Sequence, residues 1–332
     1  MSRPAVDVVV PFGGPRDELD MLRGRLARLQ LRPGDSVLIV DNTPRRIGEK
    51  ASTNGSVPVL RAAERRTPGY ARNRGAVEGT AEWIVFFDAD TEPNEDLLDR
   101  YFEPKPDAST ALIGGGVQDE PVASNGRPAA RYQYWWAGMK QDNTFRLGSW
   151  GFPVTANVAV RRSAFEAIGG FRDDIRAGED ADLTYRLRAA GWDVERREGA
   201  EVSHRTRQTL GSFIRQQALH AAGAAWLERH YPGSSPSDMR IGFSPSAVHV
   251  AAARLIAAAR SRDRDRVVWA LCEPAQRLAW KYGRSLPNRR PLTAGLIWRA
   301  MRRPAPLPRA SARFAAVSAI PRWPGARSGP EP

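Results

Sequence analysis

An apolar run that stops abruptly at two acids constrains this chain more than any other feature. Trp83-Ile84-Val85-Phe86-Phe87 holds no polar residue, which reads as a strand buried on both faces. It ends in Asp88-Ala89-Asp90. A strand buried on both faces needs helices on both sides of its sheet, and the segments before it supply them. Residues 6–10 are a β-branched run closed by Pro11, and Leu19, Leu22, Leu26 and Leu29 follow at helical spacing. Pro33-Gly34 stops that helix, residues 37–40 read as a second strand and 57–60 as a third. A helix is predicted over 68–77, with Pro68 suited to its first turn. This alternation predicts an α/β fold: a mostly parallel, Rossmann-like sheet with flanking helices. Such sheets bind ligands at the C-terminal ends of their strands, where Asp88 and Asp90 fall.

Two carboxylates this close repel each other unless a positive charge lies between them. A divalent cation carrying a diphosphate meets that need, because hard cations prefer carboxylate and phosphate oxygens. The other reading is a turn capped by Asp88 and Asp90 ahead of a helix starting near Asn94. The acid pair alone does not separate the two.

Further along, Gly114-Gly115-Gly116 follows another short strand and lacks the Lys and Ser/Thr of a phosphate loop. It reads as bulge or close-packing glycine. Residues 121–152 look irregular and carry Tyr132, Tyr134, Trp135, Trp136, Phe145, Trp150 and Phe152. They form either a flap over the core or the wall of an acceptor site. Asn157 lies within a strand at 154–161. Gly178-Glu179-Asp180-Ala181-Asp182 opens a helix, where acids are ordinary partners of the helix dipole. A short strand at 200–204 ends in His204, and a long helix is predicted over Leu210–His230.

The composition loosens at 232–236, which predicts a domain over 1–235, a helical basic extension over 236–304 and a disordered tail over 305–332. Charge follows that division. From Ile241 onward there are 17 Lys and Arg against 4 Asp and Glu, an excess equal to the +13 of the whole chain. The first 240 residues are neutral, so the excess points to a tail that meets something anionic. The extension's helices are too short to span a bilayer, and they carry Trp269, Trp280, Tyr282 and Trp298 among arginines. They either lie on an anionic membrane surface or pack on the main domain with the arginines solvated. A single cysteine, Cys272, and a start, Met1-Ser2-Arg3-Pro4, that runs straight into a strand predict a cytoplasmic protein without a signal peptide.

Taken in order, Pro11, Val40-Asp41-Asn42-Thr43, Pro68-Gly69-Tyr70-Ala71-Arg72-Asn73-Arg74-Gly75, Asp88-Ala89-Asp90, residues 155–162, Gly169-Gly170-Phe171, Gly178-Glu179-Asp180-Ala181-Asp182-Leu183 and His204 form one series. In this series the chain resembles the inverting GT-A glycosyltransferases of family 2. The resemblance implies a hexosyltransferase-like enzyme acting on a nucleoside-diphosphate sugar, with Mn²⁺ or Mg²⁺ as cofactor and a glycan or lipid-linked acceptor. It implies Asp41 on the nucleoside base, Pro11, Arg72 and Asn73 in the nucleotide pocket, and Asp88 near the ribose. It implies Asp90, with Asp88 and His204, at the metal. Asp180, from the Glu179-Asp180 pair, resembles the catalytic base, and Asn157 an active-site lining residue. After the second strand this chain has Asp41-Asn42-Thr43-Pro44 where the family often has Asp-Asp-Gly-Ser, so the nucleotide base stays open.

Two other classes compete. A nucleotidyltransferase on the same fold would also hold metal at the acid pair. A nucleic-acid-binding protein would use the basic tail, but no nucleic-acid motif accompanies it and the neutral region carries the acids.

Overall fold

The computed structural model describes residues 3–44, 57–123, 125–235, 245–261 and 263–289. The end of the predicted extension, from residue 290, and the tail at 305–332 lie outside the described residues. The chain opens with β1 (Val6–Phe12), α1 (Arg16–Leu26), β2 (Ser36–Asp41), β3 (Val59–Arg61), α2 (Pro68–Ala76) and β4 (Trp83–Phe87). It continues through β5 (Thr91–Pro93), α3 (Leu97–Arg100), β6 (Thr110–Asp119), α4 (Pro128–Trp136) and α5 (Asp142–Phe145). Then come β7 (Asn157–Arg161), α6 (Arg162–Ala167), α7 (Glu179–Ala189), β8 (Asp193–His204), α8 (Leu210–His230), α9 (Pro245–Ser261) and α10 (Arg264–Gly283).

The eight strands form one sheet in the order β3-β2-β1-β4-β7-β6-β8-β5. Its first half is parallel, β3 to β2 to β1 to β4. From β4 onward it is mixed: β7 is antiparallel to β4 and β6, β8 is parallel to β6, and β5 is antiparallel to β8. β4 is therefore central, and all five of its residues are buried. Its odd residues, Trp83, Val85 and Phe87, join the α1 and α3 side of the core, with Leu19, Leu22, Leu97 and Leu98. Its even residues, Ile84 and Phe86, join the α2, α6 and α7 side, with Ala71, Phe165, Leu183 and Leu187. Burial on both faces removes the period-2 alternation, which is why the run is continuously apolar.

Three local readings change. Residues after Asp90 do not enter a helix at Asn94. They form β5, paired to the end of β8 with Thr91 opposite His204, and the short α3 starts only at Leu97. The span 121–152 is not irregular throughout, since Pro128 begins α4. The strand that ends in His204 starts at Asp193, not at residue 200. The glycine run is a bulge: the β6–β8 register shifts between Gly115 and Gly116. A Cβ on Gly115 would stand 2.3 Å from the Asn157 amide, so the position has no room for one.

The extension packs on the main domain by α10. Val268, Cys272, Gln276, Ala279 and Gly283 form its buried face. Gln217 of α8 accepts from Gln276 Nε2 at 3.1 Å and Trp280 Nε1 at 2.9 Å, and Tyr132 of α4 donates to Gln276 Oε1 at 2.6 Å. Four polar groups are thereby taken out of water with their partners supplied.

Candidate active site

The end of a strand and the start of a helix converge on a single guanidinium. Arg72, on α2, is almost wholly buried. It donates from Nη2 to Asp88 Oδ1 at 2.7 Å and from Nη1 to Glu179 Oε1 at 3.0 Å. A guanidinium stays charged at any relevant pH, so it ties the end of β4 to the start of α7. Burial, then Asp90, raise the Asp88 carboxyl against the pull of Arg72. Asp88 is recessed rather than sealed: protein surrounds it, yet a third of its side chain meets the cleft.

Asp180 sits beside Glu179 in the first turn of α7. Its Oδ1 accepts from the Ala181 amide at 2.8 Å. Burial, and then the charge of Glu179, push its pKa up to about 7. Asp182, by contrast, points into the core, where it takes the Tyr231 hydroxyl at 2.7 Å and Arg186. The three acids that look alike in sequence therefore divide. One holds Arg72, one is an isolated high-pKa carboxyl, and one is structural.

On the far side of Asp88, His204 ends β8. Its Nδ1 lies 2.7 Å from Asp119 Oδ1 and its Nε2 3.9 Å from Asp90 Oδ2. Burial lowers the imidazole pKa, but the Asp119 hydrogen bond and the Asp90 charge outweigh it and hold it above the usual histidine range. Asp90 also meets Arg207 Nη2 at 3.2 Å. Asp88, Asp90, Arg72, Glu179, Asp180 and His204 thus form one neighbourhood, as their sequence order implies.

The remaining predicted residues have other contacts. Asp41 is buried at the end of β2, paired with Arg61 at 2.9 Å and accepting from the Thr43 amide. Pro11 lies in β1 opposite Val40. Asn73 exchanges two hydrogen bonds with the Phe171 backbone. Asn157 is wholly buried and holds the Tyr101 hydroxyl and the Gly116 and Ala200 carbonyls.

The family model described as glycosyl transferase family group 2 matches residues 83–318. The chain belongs to that family. It is similar to the pre-mycofactocin glycosyltransferase of Mycobacterium tuberculosis (strain H37Rv), 26% identical over 238 residues, 70% of this chain and 49% of that one. It is also similar to the beta-monoglucosyldiacylglycerol synthase of Trichormus variabilis, 28% identical over 211 residues, 58% of this chain and 43% of that one. The chain spans about half the length of these curated relatives. Among solved structures, a mannosyltransferase of Pyrobaculum calidifontis in complex with GDP-Man and Mn²⁺ has a TM-score of 0.54 at 17% identity, covering 85% of this chain and 88% of that one. That likeness shows the shared GT-A fold.

Within this family fold, sequence reasoning missed Asp119 and Arg207. Asp119 ends β6, where nothing in the local sequence marks it. Only the β6–β8 pairing sets it opposite His204. Arg207 was findable, since His204-Arg205-Thr206-Arg207 puts two cations just after the histidine. A cleft next to Asp119 and His204 is lined by Gln133, Trp136, Met139, Gln216 and His220. In the aromatic segment Trp136 lines this cleft, whereas Tyr132 is core.

Proposed function

We propose that this chain transfers a sugar from a nucleoside diphosphate to an acceptor hydroxyl, with inversion at the anomeric carbon. One observation carries the reading. Asp180, its pKa pushed up to about 7, stands at a helix start that Arg72 ties to the Asp88 end of the acid pair. The acceptor oxygen attacks the anomeric carbon as Asp180 takes its proton. The bond from that carbon to the diphosphate oxygen breaks, and the nucleoside diphosphate leaves. Glu179 supports the base in two ways: it receives Arg72, and its charge keeps Asp180 proton-hungry.

The donors present fit a hard divalent cation. Asp90 and the Nε2 of His204 face one gap, and Arg207 beside Asp90 marks a place where positive charge is accommodated. Among the described residues no three His, Cys, Asp or Glu side chains enclose a metal unaided, which suits an ion completed by phosphate oxygens and water. Asp90 and His204 would hold it, with Asp88 alongside. Mn²⁺ or Mg²⁺ bound there would neutralise charge growing on the leaving diphosphate. Asp41, Pro11, Arg72 and Asn73 shape the nucleotide pocket, and Asn157 acts from beneath by joining β6 to β8.

The acceptor belongs on the Trp136 and His220 side, where an indole face and polar donors suit a glycan or lipid-linked hydroxyl. Residues 1–235 carry the groups that would touch donor and acceptor. The basic extension meets an anionic, cytoplasmic-leaflet surface, with Trp269, Leu271, Leu278 and Tyr282 of α10 exposed beside Arg264, Arg266 and Lys281. Among the described residues no helix is long and apolar enough to cross a membrane.

The reading is tested with UDP-glucose and GDP-mannose, with and without Mn²⁺, by identifying the released product. Nucleoside diphosphate is expected. Sugar 1-phosphate, left when the nucleotidyl group is moved instead, would replace glycosyl transfer by nucleotidyl transfer.

A further inference from the structure

The segment that follows α10 reaches back to the start of α7. Asn288 is buried, at 2% exposure, although the sequence around it, Leu286-Pro287-Asn288-Arg289, has no apolar pattern that calls for burial. Its Oδ1 accepts from the Arg176 and Ala177 amides, both at 3.2 Å, and its Nδ2 donates to the Ala177 carbonyl at 2.9 Å. Its own carbonyl accepts from the Arg176 amide at 2.8 Å, and Arg289 bridges to Ile175 in antiparallel fashion. One side chain and its backbone thus act as a strand partner for residues 175–177.

That stretch leads directly into Gly178, Glu179 and Asp180. Gly178 adopts φ 83°, a left-handed value that an L side chain rarely takes, so the turn has few alternatives once residue 177 is fixed. α8 also approaches the stretch closely. A Cβ on Gly223 of α8 would stand 2.8 Å from the Ala177 carbonyl, so the two backbones are in close contact. The Asp180 carboxyl is held by backbone amides of its own helix start, those of Ala181 and of Asp180 itself. The place of its carboxyl is inherited from the backbone before it.

We propose that Asn288 is a positioning residue for Asp180, and that the extension is for this reason part of the active site rather than an appendage. This rests on Asp180 being the base, as argued above. The chemistry requires it to be held: a misplacement of about 1 Å between base and acceptor oxygen can cost about a hundredfold in rate.

The test uses the full chain carrying Asn288→Ala or Asn288→Asp. Hydrogen exchange is read without ligand. Asn288→Ala is expected to speed exchange at the Arg176 and Ala177 amides at least about tenfold and to loosen the first turn of α7, with β4 and β1 unchanged. Turnover, read as nucleoside diphosphate release from UDP-glucose or GDP-mannose, is expected to fall about 10- to 100-fold in kcat with KM unchanged. Asn288→Asp keeps the acceptor for both amides and loses only the donor to Ala177, so it should recover part of both losses. If Asn288→Ala unfolds the chain, Asn288→Asp alone decides, and wild-type exchange and kcat in it would overturn the proposal. So would wild-type kcat in a folded Asn288→Ala chain. Asp180→Asn separates the two levels: full turnover in that variant means the base assignment failed, whereas lost turnover there with wild-type kcat in Asn288→Ala means only the positioning role failed.

Discussion

The sheet-tip centre and the α4–α8–α10 flank are both buried polar networks, but they are built from different chemistry. At the centre Arg72 holds Asp88 and Glu179, and Asp119 holds His204. Nearly every member there is ionisable. On the flank Tyr132, Gln276, Gln217 and Trp280 form a chain of neutral donors and acceptors. A buried ion pair carries a large desolvation cost for modest net stability, so its retention points to chemistry. A neutral network costs less to bury and simply fixes geometry. The centre is arranged to shift pKa values, and the flank to keep three helices in register beside it.

Four variants and one titration would break or sharpen that contrast. Asp180→Asn should show the largest effect, a fall of about 10²–10⁴ in kcat, while the thermal shift given by UDP or GDP with Mn²⁺ is retained. Unchanged kcat would end the account of the centre. Arg72→Ala leaves two carboxylates facing each other in a recessed site and should cost about 3–5 kcal/mol in urea unfolding. A loss near that of a surface residue would mean that water already screens the pair.

The pH dependence follows from Asp180, whose pKa of about 7 stands above its ordinary 3.8. The base works only when ionised, so kcat/KM should drop about tenfold per pH unit below 7. The sign for stability is opposite to that of a salt-bridged acid. Between its unfolded and folded pKa values, the native state keeps a proton that the unfolded chain releases. Stability therefore falls as pH rises from about 4 to 7. Asp180→Asn should accordingly melt higher than the parent at pH 8, with the gap closing by pH 4.

On the flank, Gln217→Leu strands the Gln276 and Trp280 donors. It should cost about 1–3 kcal/mol without moving the pH profile, and a moved profile would merge the two regions into one. The smallest effect is expected for Leu278→Ser with Tyr282→Ser. Folding and kcat should stay at parental values while flotation with anionic vesicles weakens, and equal recovery would remove the membrane face of α10.

Much of this was legible in sequence because strand, helix and turn signals are local. The uniformly apolar β4, the leucine spacing of α1, and the full extent of α8 follow from side-chain periodicity alone. The order of Arg72, Asp88, Glu179 and His204 carries the family resemblance, which periodicity does not supply. The fate of three neighbouring acids did not follow. Glu179, Asp180 and Asp182 share one helix turn, and only the packing of α2 and Tyr231 against that turn divides their tasks. Helix signals around Pro128 were masked by aromatics that resemble loop or flap residues, and β5 was too short to have a period.

By itself, then, the amino-acid order determined the α/β class, the acids at a strand end, and a C-terminal excess of positive charge. Each of these depends on residues close together in the chain. Tertiary structure alone decided that Asp119 backs His204, that the extension docks through Gln276, and that Asn288 reaches the turn before Asp180. Those contacts join residues 59 to 111 positions apart, and no local preference encodes a partner that only the closed fold brings near.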